Sequence, residues 1–290
     1  MKRILHPTDF SPNASRAFQL AHALAQKLEA ELIVVHIGEV PALLNRGGRR
    51  STGEMEEARK ATLKERLQAY CKEHIMGAPA AGISFEVRLN RSTNQGLLDV
   101  LKDLQPSLVV MGARGQSWLR DLVLGSTTCH LIEHAPCPVL SVPLHASPTG
   151  VFRRIVYASG YDPDDRAVVN ALARFAAPYE AGITVLHVFS QPAGNESART
   201  TFEGKLRRKV SYPHLQFATR VAKHANGAIS AYVQEQSADL LVMYEREHSG
   251  ILGLFHRDKV QHQVLHTTVP LLSYNRSALA THHLKTLPVS

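Results

Sequence analysis

At 290 residues the chain has room for two domains of ordinary size, and 44% hydrophobic with 20% charged residues excludes a disordered or fibrous protein. No run approaches the ~20 apolar residues of a membrane span. Pro7 and Asp9 interrupt the N-terminal apolar stretch that a signal peptide needs, so the expectation is a cytoplasmic protein without membrane contact.

The net charge of +8 raises the question of nucleic acid. The densest basic clusters, Arg46/Arg49/Arg50 and Lys205/Arg207/Arg208/Lys209, carry no interleaved aromatics on which bases would stack. A positive field serves an anionic small ligand equally well, and the expectation is no nucleic-acid partner.

Ile4-Leu5-His6 forms a short apolar strand that stops at Pro7. Ser11-Pro12 supplies a helix cap and a first-turn proline. Ala14, Ala17, Phe18, Ala21, Leu24, Ala25 and Leu28 then recur at helical spacing. The β-branched run 32–37 predicts a buried strand. A helix follows over 54–74, and 85–89 alternates as a strand nearer the sheet edge. A helix over 96–104, a buried strand over 108–111, a helix over 126–134 and a strand over 138–142 complete the series. Strands alternating with helices imply right-handed crossovers and a parallel sheet.

The pattern then restarts. Residues 153–157 resemble 2–6, 183–188 resemble 32–37 with a histidine at the same place, and 238–243 resemble 106–111. Met111 to Pro138 and Met243 to Pro270 span the same distance, so this part of the two copies aligns without a gap at an offset of 132. A repeat this long means domain duplication rather than a solenoid. The fold expected is two tandem α/β domains, 1–144 and 151–278, each an open five-stranded parallel sheet with helices on both faces, joined by a linker at 145–150.

After the strand ending at Met111 comes Gly112-Ala113-Arg114-Gly115, then nine residues, then Gly125-Ser126-Thr127 opening a helix. Glycines after a parallel strand let backbone N–H groups approach phosphate oxygens. A helix start adds unpaired N–H donors, hydroxyls and the positive end of the dipole. Turn chemistry and a helix cap would use the same residue types. Neither a Walker loop nor a Gly-x-Gly-x-x-Gly fingerprint is present.

The run Met111-Gly112-x2-Gly115-x9-Gly125-Ser126-Thr127 resembles the ATP-binding signature of the universal stress protein family, as do Pro7-Thr8-Asp9 and the strand ending at Ile37. The resemblance spans the chain as a tandem two-domain member and implies a nucleotide-binding α/β fold of the adenine-nucleotide α-hydrolase-like kind. It implies ATP as ligand, with Asp9 at the adenosine end beside Pro7 and Thr8, and the backbone of Ile37 at the adenine. Met111 and Gly112 would line the nucleotide. Gly115, Gly125, Ser126 and Thr127 would hold the phosphates, and Ser141 and Val142 would form another wall. Asp9 is placed to help position Mg²⁺ or Mn²⁺ indirectly. Family members pair through the last strand, which implies an intramolecular pseudo-dimer here and leaves room for a homodimer.

At the offset of 132 the second copy has Tyr244 for Gly112, Glu247 for Gly115, Arg257 for Gly125 and Asp258 for Ser126, while Gly160 stands for Asp9. Bulk and negative charge there oppose a polyphosphate. The apolar framework (Leu241, Val242, Ile251, Leu254, Val264, Leu265, Leu271, Leu272) persists, so one functional site is expected, in the first copy.

His130 and His134, four apart with Cys129 and Cys137 nearby, have zinc-like spacing, but a helix surface is the plainer reading. Three cysteines make no disulfide framework. His36 and His187 read as core histidines. No nucleophile–base pair recurs at a motif position. The reading is an ATP-binding module of the stress response. A slow ATPase or self-phosphorylating enzyme at the same site, and a nucleotide-free scaffold, are the alternatives.

Overall fold

The structure, a computed structural model, describes residues 2–40, 53–75, 82–113, 124–191, 195–245 and 268–280. The N-terminal half runs β1 (Arg3–Pro7), α1 (Pro12–Lys27), β2 (Glu31–Glu39), α2 (Gly53–His74), β3 (Ile83–Asn90), α3 (Thr93–Leu104), β4 (Leu108–Gly112), α4 (Ser126–His134) and β5 (Val139–Val142). The C-terminal half follows with β6 (Arg154–Ala158), α5 (Asp165–Ala176), β7 (Gly182–Phe189), α6 (Asn195–Lys209), β8 (Leu215–Val221), α7 (Ala225–Glu235), β9 (Leu240–Tyr244), β10 (Leu271–Tyr274) and α8 (Arg276–Ala280).

The ten strands of the described residues form one sheet in the order β3-β2-β1-β4-β5-β10-β9-β6-β7-β8. Strands are parallel within each half, and the halves meet where β5 pairs antiparallel with β10, Ser141 opposite Leu271 and Val139 opposite Ser273. The fold is therefore the mostly parallel α/β architecture that alternating strands and helices predict.

Local chemistry accounts for the elements. Ser11 accepts the Ala14 N–H at 3.2 Å, and Pro12 pre-sets the first turn of α1. The helix then buries Ala14, Ala17, Phe18, Ala21, Leu24 and Ala25 against the sheet. In β2, Leu32 to Val35 are all buried, because helices cover both faces of a parallel sheet. β3 and β8 close the two ends of the sheet. β8 has little sequence signal: Gln216, Thr219 and Arg220 interrupt its apolar pattern, as an edge strand tolerates.

The duplication is written in the backbone as well. Phe10 and Tyr161 take φ of 63° and 59°, Glu29 and Glu180 both 50°, and Gln105 and Ser237 both 46°. The first two pairs are 151 residues apart and the third 132, so the copies differ in length between β2 and β4 and agree after it. Left-handed backbone is costly for such residues, and its recurrence at matched turns marks one architecture used twice. The framework residues Ile251, Leu254, Val264 and Leu265 lie outside the described residues.

The segment 145–150 is a docked connection more than a spacer. Ala146 is buried, and Gly150 has φ +66° with a Cβ position only 2.9 Å from Ala23 Cβ and 3.2 Å from Leu24 N. Only glycine fits that approach to α1. Leu140, Val142, Leu272 and Tyr274 then join the α1 and α5 sides into one continuous core.

His6 lies fully buried in β1. Its Nδ1–H donates to the Val110 carbonyl at 2.9 Å, and Nε2 has no hydrogen-bond partner. Burial pulls its pKa from 6.5 down to about 4, against weaker upward pulls from the Val110 bond and Asp9. Below 6.5 the unfolded chain takes up a proton that the folded chain refuses until about 4, so stability falls as pH falls through that window. Between pH 7 and 4.5 wild type should lose about 2–3 kcal/mol more than His6→Asn, which cannot titrate. Denaturant melts at the two pH values measure this, and parallel losses would mean that the imidazole accepts its proton in place.

Candidate functional site

In the order 3-2-1-4-5, the chain reverses direction of winding between β1 and β4, and a crevice opens at their carboxyl ends. A cavity of about 440 Å³ lies there. It is lined by Pro7, Thr8, Asp9 and Ala14 from the β1–α1 corner, and by Val35, His36, Ile37 and Glu39 from β2. Thr93 and Leu97 of α3 complete one side, and Met111, Gly112, Gly125, Ser126, Thr127 and Thr128 the other.

The β1–α1 corner is held by its own side chains. Thr8 N–H extends the ladder by donating to Val35 O at 2.9 Å. Thr8 Oγ1 accepts the Phe10 N–H and Asp9 Oδ1 accepts the Ser11 N–H, both at 3.0 Å. These two local bonds hold Phe10 in its left-handed conformation and fix Asp9 at the cavity wall.

On the opposite side, the start of α4 is tied to the end of β4. Gly125 N–H donates to Ala113 O at 2.8 Å, and Thr128 Oγ1 donates to Gly112 O at 3.1 Å. Gly125 caps α4 in extended conformation without a side-chain cap bond. The N–H groups of the first turn have no intrahelical acceptor and stand at the cavity with the positive end of the dipole. Met111, Ile37 and Leu97 add an apolar wall.

Nine of the residues expected from sequence thus come together: Pro7, Thr8, Asp9, Ile37, Met111, Gly112, Gly125, Ser126 and Thr127. Gly115 lies outside the described residues. Ser141 and Val142 are not among the residues that line this cavity. β5 is one strand beyond β4, and Ser141 Oγ donates to Leu271 O at 3.2 Å, toward the C-terminal half. Val142 is fully buried in the core on the α1 side. Sequence reasoning missed Glu39, Thr93 and Leu97, and it took His36 for a core histidine where the structure sets it half-buried on the cavity wall. The end of β2 and the start of α3 were the available signal, because both must sit at the same edge of a parallel sheet.

His36 is half-buried and lines the cavity, with Nδ1–H donating to Thr8 O at 2.8 Å. Burial lowers its pKa, with the Arg66 charge adding to that and the Thr8 bond and Asp9 opposing it. His130 and His134 stack at 4.5 Å, and His134 Nδ1 bonds the His130 carbonyl of its own helix. Among the described residues no group of three His, Cys, Asp or Glu side chains is placed to hold a metal ion. The described cysteines are free. Of the basic clusters, 46–50 lies outside the described residues, and Arg207 lies 4.7 Å over the Phe217 ring. Among the described residues no helix is long and apolar enough to cross a membrane.

At the matching corner of the C-terminal half, Tyr161 and His187 stand where Phe10 and His36 pair at 4.6 Å in the first half. His187 Nδ1–H donates to Ser159 O at 2.8 Å, as His36 does to Thr8. Tyr161 stacks on His187 at 3.8 Å and on Phe202 at 4.2 Å. Tyr244, at the place of Gly112, donates its hydroxyl to Asp164 at 3.0 Å. Burial first, then Asp164, push its pKa up to about 12. The matched residues Glu247, Arg257 and Asp258 lie outside the described residues.

The family model of the universal stress proteins matches residues 1–143. A universal stress protein of Thermus aquaticus is 36% identical over 146 residues, which cover 49% of this chain and 98% of that one. Among solved structures, a universal stress protein from Archaeoglobus fulgidus DSM 4304 has a TM-score of 0.64 at 18% identity, over 94% of this chain and 98% of that one. One from Pseudomonas aeruginosa UCBPP-PA14, described as putative, has a TM-score of 0.60 at 16% identity, over 99% and 98%. The sequence likeness rests on the N-terminal half and the likeness of fold extends through both. The chain belongs to the universal stress protein family.

Proposed function

We propose that the chain binds one ATP in the cavity at the carboxyl ends of β1 and β4 and acts as a nucleotide-dependent binding and signalling module in the stress response. The N-terminal domain, 1–144, carries the ligand. The C-terminal domain, 151–278, is its permanent partner in an intramolecular pseudo-dimer through β5 and β10. The observation that carries this reading is the convergence of a carboxylate, an apolar wall and an open helix start in one cavity of about 440 Å³. That volume is in the range of small-ligand sites. Asp9 would accept from ribose hydroxyls, Ile37 would offer backbone to the adenine, and the first turn of α4 would donate to phosphate oxygens.

A divalent ion, Mg²⁺ or Mn²⁺, would arrive with the phosphates and offset their charge, with Asp9 facing it through water. The lining supports binding more than turnover, because the Nδ1–H of His36 is committed to the Thr8 carbonyl and burial weakens the ring as a base.

Calorimetric titration with ATP should give one site per chain. Tyr244 stands in the second half where Gly112 lines the cavity of the first, so two equivalent sites would contradict this reading. No heat of binding in nucleotide-free protein would dismiss ATP as the ligand.

A further inference from the structure

The helix whose first turn meets the cavity is held at its other end by the C-terminal half. α4 has nine residues, so its two ends are only ~13 Å apart. The side-chain amide of Asn275 donates from Nδ2 to Ile132 O at 2.9 Å, Glu133 O at 3.2 Å and Ala135 O at 2.9 Å. Its Oδ1 accepts the Ala278 N–H at 2.7 Å, capping α8. With an acceptor role on one side and donor roles on the other, the orientation of the amide is set by its partners.

Asn275 is 4% exposed. The strand pairing explains how it arrives there: β10 runs antiparallel to β5, so its carboxyl end lies beside the segment where α4 gives way to β5. α4 lacks a left-handed C-cap, because Ala135 is extended and donates only to Leu131 O. The last carbonyls of a helix need donors from elsewhere. Position 143, which matches 275 at the offset of 132, is Pro143, whose ring carries no donor. The tie therefore has no counterpart from the first half to the second at this position.

We infer that Asn275 is a positioning residue for the phosphate end of the cavity, through which the C-terminal half sets how firmly α4 presents its N–H groups. This inference rests on the proposed ATP site. A short helix gripped at its last turn moves as one body, and the donors at its first turn are fixed with it. The adenosine end, built from β1 and β2, shares none of these bonds. Loss of the tie should therefore weaken phosphate contacts and spare the nucleoside.

The experiment compares full-length wild type, Asn275→Ala and Asn275→Asp in titrations with ATP and with adenosine, alongside amide hydrogen exchange of α4. Tyr212→Phe, which removes a bond to Ala181 O remote from α4, controls for general destabilisation. Asn275→Ala should weaken ATP about tenfold, the loss of one to two buried hydrogen bonds, and leave adenosine within about twofold. Asn275→Asp keeps the α8 cap but turns a carboxylate toward three carbonyls, and should weaken ATP further. Exchange in α4 should quicken in both variants and not in Tyr212→Phe. Equal losses for ATP and adenosine, or unchanged ATP affinity with unchanged exchange, would overturn the inference. Wild type that binds neither ligand would instead remove the reading of the cavity, and altered exchange alone would then reduce Asn275 to a helix cap.

Discussion

Gly125→Asp is expected to raise the dissociation constant for ATP by ~100-fold or more while leaving the fold intact. Gly125 has φ −71° and ψ 160° at the N-cap of α4, a conformation open to any residue. Aspartate is among the preferred N-cap residues, so the helix should be as stable as before or more so. The same carboxylate would take up first-turn N–H groups and set a negative charge against the phosphates. At ~4 Å and an effective dielectric constant of ~20, one such pair costs about 4 kcal/mol, and a polyphosphate offers more than one. Gly125→Ala, which adds bulk without charge, should lose far less. Titration beside a thermal melt separates the outcomes. Wild-type affinity in the aspartate variant would mean that phosphates do not lie at α4.

The fragment 1–150 should bind ATP, more weakly than the full chain, and should dimerise or aggregate. In the intact protein β5 is flanked on both sides, by β4 and by β10. Truncation removes the ladder that pairs Val139, Leu140 and Ser141 with Ser273, Leu272 and Leu271, and uncovers side chains that are 0–1% exposed. An unpaired apolar edge is a template for another copy. Sedimentation velocity across a concentration series tests this. A soluble monomer at high concentration would show that the edge is protected otherwise, and the reading of the halves as an obligatory pair would fall. A folded fragment that binds no ATP would assign part of the site to the C-terminal half.

The fold was legible wherever both faces of a strand are buried. Ile4-Leu5-His6, 32–37 and 108–111 announce themselves because burial on two sides leaves only apolar choices. β8 did not, since an edge strand needs only one good face, and Gln216 and Arg220 satisfy that. The cavity lining was legible through backbone chemistry: Gly112, Gly125 and Asp9 are residue types that suit a strand end or helix start beside a cavity. Glu39, Thr93 and Leu97 escaped because reach into a cavity depends on register between β2 and α3, which no local pattern records. Ser141 stands apart from these residues. Its hydroxyl is matched to a carbonyl in the other half of the chain, a partner 130 positions away in sequence.

The antiparallel join of β5 to β10 changes what a mutation does. In an assembly of two identical chains, one substitution alters both members at once, so neither can specialise alone. Here the two members are separate stretches of one polypeptide, Gly112 can persist while its counterpart is Tyr244, and Asn275 can grip α4 while its counterpart is Pro143. Their association is also internal to the chain, so it does not weaken on dilution as that of separate subunits does. Covalent fusion thus frees each half to diverge, one keeping the glycines at the cavity and the other supplying the amide that holds α4 at its last turn.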